Sequence, residues 1–396
     1  MANLTTLPKD LLVEILTRIP TTSMRAMRCT CKKWNTLSKN GDFTKKHMAA
    51  EAAAAAKEGE IPAVVLFNRS LHLMSVNLND SDPSVTRRGN LTSLNETDNL
   101  NVSQVYHCEG LLLCAMEDNS KLVLWNPYSG QTRWILVKPR KYYHSLGYGY
   151  RSGKRSYKIL RFLDESVHEI YNVSSNTWRV LGVSPDWYVD VDEYENNGVT
   201  VKGNTYWYAK PLDIISAGGE ELPGFLLCFD FTAERFARRL PLPVDGFFED
   251  AVVLSSFREE QQLAVLFQSI NTLEMEVWVT SKVGPSAVSW SKFLSVDMAA
   301  PFIKFNIGAS FMVDEEKRAV VVFQHGKAKA ESGYRTCPNT AYFIDGDKGY
   351  LRGVDLGDRD MEVYSKVLSQ GFAYVPSSLQ INEPVMTEII AGVNRL

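Results

Sequence analysis

"LVLWNPYSGQTRWI", residues 122–135, sets two apolar, aromatic-bearing runs on either side of Asn-Pro-Tyr-Ser-Gly. An apolar run ending in an aromatic residue, a polar turn, and a second run opened by a tryptophan reads as a β-hairpin. The same form returns in "HEIYNVSSNTWRVL" (168–181) and "LLCFDFTAERFARRL" (226–240), with anchor pairs Trp125/Trp134, Tyr171/Trp178 and Phe229/Phe236. "MEVWVTSKVGPSAVSWSKFL" (275–294) is a longer-looped version through Trp278 and Trp290, and "AYFIDGDKGYLRGV" (341–354) another through Phe343 and Tyr350. From one copy to the next the turn residue moves from Asn126 to Asn172, Asp230, Val279 and Asp345, in steps of 46, 58, 49 and 66 residues.

Aromatic-anchored hairpins at periods near 40–50 read as the blades of a β-propeller, with insertions lengthening some of them. "IPAVVLFNRSLHLMSVNLND" (61–80) supplies an earlier copy. At roughly 50 residues per blade the region from 61 onward suggests six blades. A long β-sandwich is the alternative, since no spacing rule separates the two.

Before residue 61 the texture is helical. In "LPKDLLVEILTRIP" (7–20), Leu11, Leu12, Ile15, Leu16 and Ile19 recur at i, i+1, i+4, i+5 and i+8, one stripe of a helix. Val13 alone breaks the division. Pro8 suits the first helical position, Asp10 the positive end of the helix dipole, and Pro20 a stop. Thr22 or Ser23 can cap "MRAMRC", and "CKKWNTLSK" continues with Trp34 as its large apolar group. Asp42 can cap an alanine-rich helix that glycine and Pro62 end. Some 40 residues of short helices are too few to be comfortable alone, so the stripe calls for a partner surface. The expected organisation is a helical module over 1–48, an alanine-rich helical linker over 49–60, a β domain over 61–385 and a tail over 386–396.

Composition narrows the function. Apolar residues make up 45% and charged residues 22%, and the net charge is −3, which gives no overall bias toward nucleic acid or anionic membranes. Residues 1–58 are the basic exception, with ten Lys/Arg against five Asp/Glu. "MANLTTLPKD" lacks the basic and apolar regions of a signal peptide, and no window approaches a membrane span. Six scattered cysteines (29, 31, 108, 114, 228, 337) suggest reduced thiols, hence nucleus and/or cytoplasm. Cys29-x-Cys31 with His47 has neither the usual gap nor a fourth ligand for zinc, and both cysteines read as small core or interface residues.

No sequence-local metal site, cofactor motif or catalytic constellation is present. Gly147-Tyr148-Gly149 has no third glycine and no following helix, so it reads as a turn, and "DGDKG" (345–349) as a hairpin turn without the glutamate a calcium loop needs. In the acidic loop "SPDWYVDVDEYENNG" (184–198), Trp187, Tyr188 and Tyr194 are candidates for binding a basic peptide. The opposing reading is an acidic strand edge with the aromatics turned inward.

"LPKDLLVEILTRIPTTSMRAMRCTCKKWNTL" followed by "FTKKH" resembles the F-box motif of plant F-box proteins. From about residue 100 to 385, segments such as "CEGLLLCAMEDNSKLVLWNPYSGQTRWI" and "VKGNTYWYAK" resemble the C-terminal F-box-associated domain (type 1) of the same plant family, a kelch-like propeller in the reading above. The resemblance implies docking on a Skp-type adaptor through Leu7, Pro8, Leu11, Leu12, Ile15, Leu16, Ile19, Pro20, Met24, Cys31 and Trp34. It implies a cullin bridged by that adaptor and a protein target held by the β domain for ubiquitination, with no catalytic residue or cofactor in this chain. Two other readings stay open: an adaptor-binding scaffold or decoy, and a propeller-type carbohydrate binder or enzyme with carboxylates or histidines converging near the axis.

Overall fold

A computed structural model describes residues 8–67, 69–78, 82–91, 101–139, 142–164, 166–189, 198–213, 222–247, 250–300, 302–306, 308–330, 333–356 and 370–381. Among the described residues, four α-helices, α1 (Lys9–Leu16), α2 (Met24–Thr30), α3 (Lys32–Ser38) and α4 (Gly41–Glu58), precede six antiparallel sheets arranged as the blades of a propeller. The inner strands are Gln370–Ala373, Val102–Cys108, Tyr143–Arg151, Val199–Val201, Ala251–Phe257 and Ser310–Asp314, for blades I to VI in turn. The β-sandwich alternative is thereby set aside.

Each blade is stacked between two others, so its middle strands bury both faces and read as apolar runs rather than alternations. All six residues of Leu111–Met116 in blade II are buried, whereas the outer strand Thr177–Gly182 of blade III buries only Leu181. Apolar clusters accordingly lie between blades. One joins Val277 and Phe311 of blades V and VI, another Leu124 and Tyr171 of blades II and III, and another Val65 and Phe343 of blades I and VI.

The repeat in the sequence is the hairpin between the third and fourth strands. Its Asn or Asp closes the turn by accepting backbone N–H groups. Ser129 N donates to Asn126 Oδ1 (3.1 Å), Ser174 N to Asn172 Oδ1 (2.9 Å), Thr232 N to Asp230 Oδ1 (2.8 Å) and Asp347 N to Asp345 Oδ1 (2.8 Å). Tyr171 faces Trp178 and Phe229 faces Phe236 across their ladders, with ring centroids 5.0 and 4.9 Å apart. The other pairs are offset: Trp134 faces Val123, Trp290 faces Thr280, and a bulge sets Tyr350 against Ile344. In blade V the expected long loop is instead a pair of long strands, Glu274–Gly284 and Ala287–Asp297, so Val279 sits within a strand. Gly147 and Gly149 also lie in a strand, Tyr143–Arg151, rather than a turn. A Cβ at either position would collide with Phe231 of blade IV.

Asn126 does more than close its turn. It is fully buried, and its Nδ2 donates to Ser377 O (3.0 Å) and Leu379 O (2.7 Å) in the segment that follows the last described strand. Asn126→Asp removes both donations and sets a carboxylate against two carbonyls, for an expected loss of about 3 kcal/mol. Asn172 only accepts, and Asp230 already does the same work, so Asn172→Asp should stay within about 0.5 kcal/mol of wild type. Urea unfolding of the two variants checks the contrast; equal losses would refute it.

His144 is enclosed near the rings of Tyr106 and Tyr142, and among the described residues neither ring nitrogen has a hydrogen-bond partner. Burial, with the nearby Arg161 charge, pushes its pKa down to about 3. The folded pKa lies below the unfolded one, so the unfolded chain binds the extra proton between them. This contribution is complete above pH 6.5 and falls by about 1.4 kcal/mol per unit as the pH drops toward 3. Relative to His144→Gln, wild type should lose about 2 kcal/mol between pH 7 and pH 5 in urea midpoints; parallel profiles would contradict the assignment.

Candidate functional site

The helical module is built around Leu12, Leu16, Met24, Met27 and Phe43, with Val13, Ile19, Trp34 and Leu37 packed at its edge. Helix α1 is shorter than the distance between its prolines. Pro8 stands just before the first turn with ψ 144° instead of inside it. At the other end Arg18 N and Ile19 N bond three residues back, to Ile15 O and Leu16 O, tightening the chain before Pro20. Cys31 is extended and separates α2 from α3. Asn40, and not Asp42, caps α4, its side chain accepting from Asp42 N and Phe43 N, while Gly59 ends that helix at φ 64°. Residues 49–58 therefore continue the helix that begins in the module.

The apolar stripe of α1 divides in two. Leu12 and Leu16 are 0% and 1% exposed, and Leu11 and Ile15 are 49% and 44% exposed. Successive residues are about 100° apart, so a stripe five residues wide is broader than α2 and α4 can cover. Of the residues the resemblance assigns to the adaptor, Leu12, Leu16 and Met24 are core residues of the module itself. Pro8, Leu11, Ile15 and Pro20 are exposed, and Ile19, Cys31 and Trp34 are half-buried. Leu7 lies outside the described residues. Cys29 is exposed rather than core, and His47 is buried, its Nε2 donating to Ile19 O (2.6 Å).

Tyr128, in the third-to-fourth-strand turn of blade II, completes the module's core. Its ring stands 5.5 Å from that of His47 and 5.8 Å from the Arg28 guanidinium, which also donates to Tyr128 O. Burial pushes the tyrosine hydroxyl up to about 12 and lowers the pKa of Arg28. The sequence reading missed this residue, though a signal existed: the matching turn positions hold Ser174, Thr232 and Asp347, all polar.

The helices thus sit on the face that carries the first-to-second and third-to-fourth strand turns. At the centre of that face a cluster ties the blades together. His107 Nδ1 pairs with Glu260 Oε1 (2.9 Å), and Gly110 N donates to His107 Nε2 (3.0 Å). Glu260 also accepts from Glu109 N (2.8 Å), while Glu109 accepts from Tyr148 (2.8 Å) and from Arg155. Arg258, Glu259 and Glu260 all have positive φ, near 50–60°, a conformation costly for residues with a Cβ. Histidine and carboxylates do converge near the axis, but they are engaged with one another. A narrow axial cavity of about 100 Å³ lies beyond them, and a hollow of about 590 Å³ lies between them and the end of α4.

In the acidic loop, Trp187 is buried among His168, Trp207 and Phe236, and pairs through its backbone with Pro211. Tyr188 is half-buried and Tyr194 lies outside the described residues. Trp187 is turned inward because it closes the aromatic layer between blades III and IV.

Comparison with known proteins agrees with this architecture. The F-box domain matches residues 4–46, and the F-box associated beta propeller domain matches residues 63–381. The second match begins with the first strand rather than near residue 100 and makes up the bulk of the chain, not a C-terminal part of it. An F-box/kelch-repeat protein of Arabidopsis thaliana is 46% identical over 96% of this chain and 100% of its own length. An F-box protein of the same plant is 44% identical over 97% and 100%. Among solved structures, the fucose-specific lectin of Aleuria aurantia is 11% identical, with a TM-score of 0.37 over 77% of this chain and 98% of that one, too slight a likeness to support an argument. With helices and propeller both matched along nearly their whole length, the chain belongs to the F-box family whose helical motif is followed by an F-box associated beta propeller domain.

Proposed function

We propose that this protein is the target-recognition subunit of a Skp–cullin–F-box ubiquitin ligase. The helical module docks a Skp-type adaptor, the adaptor bridges to a cullin, and the propeller holds a protein target. The observation that carries this reading is the outward half of the α1 stripe. Leu11 and Ile15 stand exposed one turn apart on a helix whose inner side is already filled, an apolar ridge that only another surface can cover. Tyr128 fixes the module to blade II, so an adaptor on the ridge holds the propeller in a set orientation. Catalysis belongs to the assembled complex, and this subunit acts by raising the effective concentration of a target lysine.

The test is reconstitution from purified components, with the full chain, a Skp adaptor and a cullin run together on a sizing column. Co-elution of all three supports the reading. An adaptor complex that leaves the cullin behind favours a scaffold, and failure to bind the adaptor removes the proposal.

A further inference from the structure

Strands of an antiparallel blade alternate direction, so the second-to-third-strand and blade-to-blade connections gather at the end of the propeller opposite the helices. There Phe302 is 82% exposed, with φ 52°. A bulky residue at positive φ is uncommon, and an exposed aromatic ring gains nothing from it in the isolated chain. The backbone around it is nevertheless firmly held. Gln268, buried at the end of a blade V strand, accepts from Phe305 N (2.7 Å) and donates to Ile303 O (2.9 Å). Gln324 of blade VI accepts from Asn306 N (3.0 Å) and donates to Lys304 O (3.1 Å). Met298 and Phe305 anchor the two ends in the core between those blades.

The neighbouring connection is built alike. Buried Asp250 accepts from Phe247 N (3.1 Å) and from Ile270 N (3.0 Å), and Gly246 O accepts from Gly224 N (3.2 Å) and Tyr208 OH (3.0 Å). Phe247 is exposed there, and Leu212 on the connection before it. Three buried polar side chains thus hold a platform of exposed apolar groups across blades IV to VI. Preorganisation of this kind lowers the entropy lost when a partner binds.

Charge identifies the partner. Among the described residues at this end, Asp186 is paired with Arg239 (2.6 Å) and Arg238 is exposed. Asp213, Asp245 and Asp297 are exposed beside the platform, with Lys304 the cation on the Phe302 segment. We infer that this end, around Phe247 and Phe302, binds a lysine- or arginine-rich segment of a target protein that also carries an aliphatic or aromatic residue. The cations pair with the carboxylates and stack on the rings, and the apolar residue covers them. A nucleic acid would meet like charge. The inference rests on the reading of the chain as a target-recognition subunit and adds which class of segment it takes and where.

The test uses the full chain bound to its Skp adaptor, immobilised and probed with a library of random twelve-residue peptides. Selected peptides should be enriched in Lys/Arg together with Leu, Ile, Met or Phe, and should bind at least tenfold more weakly in 0.5 M salt than in 0.05 M. Phe302→Ser and Phe247→Ser should each weaken them about tenfold or more, with melting temperature and adaptor binding unchanged. No enrichment, enrichment in acidic residues, binding indifferent to both substitutions, or preferential capture of a single-stranded oligonucleotide would each overturn the inference. Adaptor binding that persists in those outcomes leaves the ligase reading standing, whereas loss of adaptor binding in wild type refutes that reading separately.

Discussion

A chain ending at residue 369 should lose its cooperative unfolding transition, whereas one ending at Ile381 should keep it. Blade I draws its inner strand from the far end of the sequence. Gln370–Ala373 pairs with Glu60–Phe67 in the register Ala63↔Ala373, Val64↔Phe372, Val65↔Gly371 and Leu66↔Gln370. The chain then crosses to blade II, where Tyr374 and Ile381 are buried and Ile381 N donates to Gln131 Oε1 (3.0 Å). Removing this segment takes away the burial of three large apolar side chains, Phe372, Tyr374 and Ile381, at about 1.5–3 kcal/mol each, and four ladder pairings at about 0.5–1.5 kcal/mol each. The total of roughly 10 kcal/mol is comparable to the whole net stability of a typical domain, about 5–15 kcal/mol. Gly371→Val tests the same closure with one substitution, because its Cβ would stand 2.6 Å from Cδ2 of the buried Phe323. Calorimetry decides the matter. A shortened chain that melts as sharply and as late as the one ending at Ile381 would show that the ring does not depend on this strand.

Substitutions one turn apart on α1 should fail for different reasons. Leu12→Arg sets an unpaired charge in the cluster of Leu16, Met24, Phe43 and Tyr128, at an expected cost of 4 kcal/mol or more. The module should come apart, Trp34 fluorescence should shift toward that of solvated indole, and residues 20–58 should become sensitive to protease. Ile15→Arg changes a half-exposed position and should leave the isolated chain within about 0.5 kcal/mol of wild type. If Ile15 is central to the adaptor interface, the same change should weaken adaptor binding by at least 2 kcal/mol, roughly thirtyfold. Both variants losing the adaptor, with only Leu12→Arg losing its fold, is the expected pattern. Ile15→Arg binding as wild type would move the docking surface away from this ridge.

Much of the architecture was legible because it is written in near neighbours along the chain. Asn126, Asn172, Asp230 and Asp345 mark their hairpins since a side-chain carbonyl or carboxylate closes a turn two or three residues on, whatever surrounds it. The stripe Leu11–Ile19 announced an amphipathic helix for a similar reason, as 3.6 residues per turn is a local property. Trp134 faces Val123 rather than Trp125, because register depends on ladder offsets that spacing alone does not show. In blade V, the repeat spacing puts Val279 at a turn and the structure puts it within a strand, because long strands and long loops occupy the same count of residues.

Other features left little or no local mark. The pairing of Val65 with Gly371 joins residues some three hundred positions apart, and neither carries a sign of the other. Gln268, Gln324 and Asp250 are ordinary polar residues in the sequence, and only their burial beneath far-face loops makes them supports. Tyr128 was visible as an aromatic in a polar turn, yet nothing near it in the chain said that helices would cover it. By itself the sequence determined the family, the blade repeat and the helical character of residues 9–58. Those follow from propensity, periodicity and turn chemistry acting over a few residues. The tertiary structure alone decided which half of the α1 stripe faces outward, where the ring closes and which end of the propeller carries the acidic, apolar platform. Each of these depends on what stands opposite a side chain, and that is settled only when distant segments compete to bury the same surface.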